Sequence, residues 1–173
     1  MFTAHQIANQ FLLLAAAEGR SVTPLQLIKL VYFAQGWNLA FRKRALVSES
    51  IEAWKYGPVI PALYRDVRDF KDQPIPGLLR DSRTGRTDFP LLPDSPEGDE
   101  ARALVQEVWS KYKKFNGVQL SVISHRSDSP WSVVTRAGQD ARNQVISDVE
   151  IERHFSQTLT EAKQAEHGAA SAM

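Results

Sequence analysis

The chain has 173 residues, 43% of them apolar and 24% charged, with 21 basic against 20 acidic side chains and no cysteine. That length suits one domain with a full core. Without cysteine there is no disulfide, thiolate catalysis or thiolate zinc site, and a reducing cytoplasmic location is expected. A net charge of +1 gives no basic excess of the kind duplex-binding domains show, so nucleic acid is not an expected partner.

No charged leader precedes an apolar run, and Phe11–Ala17, the longest such run, is too short to cross a bilayer. Neither a signal peptide nor a membrane association is expected. A first helix is expected from about Ala4 to Glu18. Thr3 and Gln6 form a capping box, Gly19 supplies a left-handed end, and Ile7, Phe11, Leu14 and Ala15 make one stripe. The second helix opens on Thr23 as cap, Pro24 at its first position and Gln26 at the box position, and it runs to Phe41. It is apolar nearly all round, as the central element of a core would be. Arg42–Arg44 end it.

Ile51–Tyr64 reads I-E-A-W-K-Y-G-P-V-I-P-A-L-Y. Period-two alternation over Ile51–Tyr56 predicts one short strand, Gly57-Pro58 a turn, and Pro61 the first turn of a helix over about Ile60–Phe70. Lys71–Asp94 carries four prolines and two glycines and predicts a long irregular loop, with room for a short strand around Phe89–Leu92. Arg80, Arg83 and Arg86 make it the most basic local stretch. Ser95-Pro96-Glu97 opens a fourth helix whose face is Ala101, Leu104, Val105, Val108, Trp109, Tyr112 and Phe115. Val118–Ser124 predicts a short helix, His125–Pro130 a polar turn, and Pro130–Arg136 another short helix. Ser147 and Glu150 box the last helix, with Ile151, Phe155 and Leu159 on its face. After Lys163 no stripe continues, so residues 164–173 read as a flexible tail. The sum is a mainly α, single compact domain of six to seven helices with a small short-strand β element.

No chemistry-bearing constellation stands out. None of His5, His125, His154 and His167 has ligand spacing that demands a metal, so no metal or cofactor is expected. Glu18, Glu49, Glu52 and Asp66 are isolated. A hydrolase or transferase centred on His125 would need a nucleophile and an orienting acid. Ser124, Ser127 and Asp128 are the right types, but Ser127, Asp128 and Ser129 also suit the cap of the helix at Pro130. The series Tyr32, Phe33, Trp37, Trp54, Tyr56 and Tyr64 reads as core rather than as a base-stacking platform.

The stretch L-I-K-L-V-Y-F-A-Q-G-W-N-L followed by I-E-A-W-K-Y-G-P-V-I-P-A-L-Y, then L-S-V-I-S-H…S-P-W and Ile151…Phe155, resembles the signature of the Panacea domain. This is the domain of the SocA-like antitoxins and of related phage-associated proteins. The resemblance spans roughly residues 4–160, leaves out Lys71–Asp94, and places the domain at 1–163. It assigns the motif to Tyr32, Phe33, Gln35, Gly36, Trp37, Trp54, Tyr56, Gly57, Pro58, Val59, Tyr64, His125, Pro130 and Trp131, mainly as structural residues. It implies an antitoxin without catalysis that neutralises a cognate toxin by direct contact, one mode being delivery to a ClpXP-type protease. The alternative it leaves is a phage or mobile-element regulator bound to a host protein. Arg80, Arg83 and Arg86, outside the pattern, are candidates for partner choice.

Overall fold

The computed structural model describes the backbone of residues 1–136 and 144–170, and the side chains of these up to 165. Seven α-helices and three short strands are formed among the described residues: α1 (Ala4–Ala17), α2 (Pro24–Arg42), β1 (Ile51–Trp54), β2 (Gly57–Val59), α3 (Pro61–Val67), α4 (Pro96–Tyr112), α5 (Gly117–Ser124), α6 (Pro130–Thr135), β3 (Gln144–Ile146) and α7 (Asp148–Ala170). A 3-10 turn, Arg68–Phe70, extends α3. This is the mainly helical architecture with a small β element that patterning indicates. The last helix reaches Ala170, and residues 171–173 lie outside the described residues.

α2 is the axis of the core: nearly every residue from Pro24 to Ala40 is buried. It packs against α1, α4, α5 and α7. Such all-round burial needs apolar residues on every face, and the sequence supplies them. Gly36 sits mid-helix, where glycine costs about 1 kcal/mol relative to alanine, because the ring of Phe155 lies on it. A Cβ there would come within 2.3 Å of Phe155 Cε2. Phe155 meets the rings of Tyr32, Phe33 and Trp37 edge-on, at centroid distances of 5.8, 6.2 and 5.2 Å. Buried Gln35 joins two distant stretches. Its Oε1 accepts from Leu46 N and Val47 N, while its Nε2 donates to Asp148 Oδ1.

Several local expectations are corrected. The Thr3 and Gln6 box forms, but Thr23 makes no side-chain cap bond. Gln26 donates instead to Phe115 O at 2.9 Å, tying α2 to the end of α4. The Ile51–Tyr56 stretch is not a lone strand. β1 pairs antiparallel with β2, with Ala53 opposite Pro58 and Trp54 opposite Gly57. The turn is therefore Lys55-Tyr56, and Gly57-Pro58 forms strand. Proline is tolerated there because β2 is an edge strand. β3 adds to the other side of β1, with Glu52 opposite Val145. Phe89–Leu92 forms no strand. Phe115 lies beyond the helix that its spacing extended.

Candidate partner-binding surface

The β1–β2 hairpin is held by side chains from three helices, each donating to one of its carbonyls. Lys29 Nζ of α2 donates to Pro58 O at 2.9 Å. Ser121 Oγ of α5 donates to Tyr56 O at 2.8 Å. Trp131 Nε1 of α6 donates to Trp54 O, also at 2.8 Å. A hairpin alone is marginal in water, and these bonds fix its tip against the helical body.

Gly57 lies at the centre of this arrangement. Its φ is +98°, in the region that favours glycine, and a Cβ would lie 2.5 Å from Lys29 Nζ, 2.8 Å from Ser124 Oγ and 3.0 Å from His125 Cε1. The approach is possible only without a side chain. Lys29 itself is fully buried, and burial pushes its ammonium pKa down to about 7.

His125 closes the arrangement without the geometry of a catalytic base. Its Nδ1–H donates to Ser121 O at 2.5 Å, and its ring meets Trp131 at a centroid distance of 4.0 Å. Ser124 Oγ donates to Ser121 O and Ser121 Oγ to Tyr56 O, so neither hydroxyl hands its proton to the imidazole. Ser129 is the cap of α6, accepting from Ser132 N, with Pro130 at the first helical position. The turn that offered a nucleophile and an acid is a capping device among these residues.

The motif residues divide between interior and surface. Tyr32, Phe33, Gln35, Gly36 and Trp37 are buried in α2. Val59 and Pro58 are buried in β2, and Trp54 and Trp131 are half-buried. Tyr56 and Tyr64 depart from the core reading: Tyr56 is 63% exposed at the hairpin tip, with Lys55 Nζ 5.3 Å above its ring. Tyr64 lies edge-on to Trp54 at 4.9 Å, and Trp54 Nε1 donates to Glu52 Oε2. On α5, whose Ser121 holds the tip, Val118 and Val122 share one face, one turn apart and each 66% exposed. Tyr56, Val118 and Val122 are thus exposed apolar side chains on two elements, the hairpin and α5, that the Ser121–Tyr56 bond joins.

The loop arginines have neighbours inside the chain. Arg83 binds Asp81 and Glu49, Arg86 binds Asp88, and Arg80 stacks on Phe89. Arg42 and Arg44 both reach Glu100. The fold also brings together one ligand atom each from His5, Glu49 and Asp81, all within 4.8 Å of one another. These residues stand too far apart in sequence to show a metal pattern. The same holds for Lys29, which reads locally as a charge inside an apolar run and gains meaning only when Pro58 folds onto it. No helix among the described residues is long and apolar enough to cross a membrane.

The family described as Antitoxin SocA-like, Panacea domain, matches residues 27–132, from early α2 into α6. Antitoxin SocA of Caulobacter vibrioides (strain NA1000 / CB15N) is 32% identical over 133 residues, covering 76% of this chain and 69% of that protein. No solved structure matches. The matched span holds the hairpin, its three clamping side chains and the whole of α5, and on these grounds the chain belongs to the SocA-like antitoxin family, as a Panacea-domain protein.

Proposed function

We propose that this protein is an antitoxin that neutralises a toxin protein by direct contact, in the cytoplasm and without catalysis of its own. The similarity to Antitoxin SocA carries the reading. The surface supports it. Tyr56, Val118 and Val122 offer exposed apolar area, and tyrosine is among the residue types that most often anchor a protein interface. The bracing by Lys29, Ser121 and Trp131 lets a partner bind without first paying to order the hairpin. Delivery of the bound toxin to a ClpXP-type protease is the finer mode that the resemblance implies.

Co-expression with the gene encoded beside it tests the proposal. The neighbour alone should arrest growth, and this protein should relieve the arrest and co-purify with it. A neighbour that is harmless, or arrest that persists although both proteins are folded and abundant, contradicts the proposal. A toxin half-life that shortens only when the protease is present identifies the proteolytic mode.

A further inference from the structure

His5 is an unusual occupant of α1: it is fully buried, and its Nδ1 has no hydrogen-bond partner. Its Nε2 lies 2.8 Å from Asp66 Oδ2. A carboxylate only accepts, so Nε2 carries a hydrogen, and Nδ1 is the ring nitrogen left for a ligand. Nδ1 faces Asp81 Oδ2 at 3.7 Å. Glu49 completes the group, which comes from α1, the segment before β1 and the loop after α3. A ring nitrogen with a carboxylate on its far side is how metal-binding histidines are oriented.

We propose that His5 Nδ1, Asp81 and Glu49 bind one divalent transition-metal ion of the zinc type, which fastens the 71–94 loop to α1. One imidazole and two carboxylates suit zinc better than magnesium, which prefers oxygen throughout. With bonds of about 2.1 Å, ligand atoms of a tetrahedral zinc lie about 3.4 Å apart. His5 Nδ1 and Asp81 Oδ2 stand at 3.7 Å and the three ligand atoms within 4.8 Å of one another, so the trio draws together as the ion binds. Charge favours the ion as well. Glu49, Asp66 and Asp81 against Arg83 leave a formal −2 around the buried ring. Asp81 also lines a surface cavity of about 310 Å³.

Arg83 is the competitor. Its Nη2 bridges Asp81 Oδ2 and Glu49 Oε1 at 2.7 Å each, where the ion would sit. Its side chain is 35% exposed, and the dication must displace its bidentate pair with Asp81 and its bond to Glu49 before it turns to water.

The test is calorimetric titration of the chelator-stripped full chain with Zn²⁺ alone, with the His5 ring nitrogens followed by ¹⁵N NMR and Mg²⁺ as control. One zinc should bind per chain and shift His5 Nδ1. Outer partners of such sites are worth about 10–100-fold in affinity, so losing a ligand in Glu49→Gln should weaken binding at least about tenfold. Arg83→Gln, which removes the competitor, should tighten it, with circular dichroism confirming that both variants fold. A mere ion-pair network predicts the opposite: no zinc taken up by either the parent or Arg83→Gln. That result, or uptake that leaves His5 unmoved or ignores Glu49→Gln, overturns the site.

Discussion

At Gly57 two constraints coincide: a positive φ and the approach of Lys29, Ser124 and His125. Either alone disfavours a side chain. Gly57→Val should therefore destabilise the domain by at least about 1–3 kcal/mol, read as a lowered thermal midpoint. Lys29 adds a pH signature. Unfolded, it takes up a proton as pH falls below 10.5; in the fold it stays neutral until about pH 7. Between those values the unfolded chain binds more protons, so stability rises with pH across the window. The urea midpoint should climb through that range, and Lys29→Met should lose this part of the climb. An identical climb in the variant would show that the amine is not held neutral.

Elements differ in how legible they were. α1, α4 and α7 announce themselves through caps and periodicity, because those signals are local: Thr3 and Gln6, Ser95 and Ser147 all make their expected bonds. The hairpin did not. Gly57-Pro58 carries the chemistry of a turn, and only pairing with β1 and packing on α2 and α5 make it strand. Its clamps join residues 29, 65 and 77 positions apart, which no window of sequence reveals. β3 offers too short a stretch to read. α7 lies outside the family match, yet its Phe155 fills the space over Gly36. Phe155→Ala should cost about 3–5 kcal/mol in chemical denaturation, as a large cavity in the core does. A cost below about 1 kcal/mol would mean that α7 is peripheral.

At the scale of the whole molecule, a helical body is built around α2, and the function proposed above has it present one stiff surface to another protein. The motif residues mostly keep the body together, while Tyr56, Val118 and Val122 are left outside. Core residues were recognisable because burial imposes a period; surface residues were not, because an exposed valine on a short helix looks like any other. The triple variant Tyr56→Ala, Val118→Asp, Val122→Asp separates the two roles. Its sites are exposed, so each change should move stability by no more than about 0.5 kcal/mol. The decisive measurement is its affinity for the toxin proposed as partner, beside the parent's, at matched thermal midpoints. The account predicts that the complex is lost while the fold is kept; a variant that binds the toxin as tightly as the parent contradicts it.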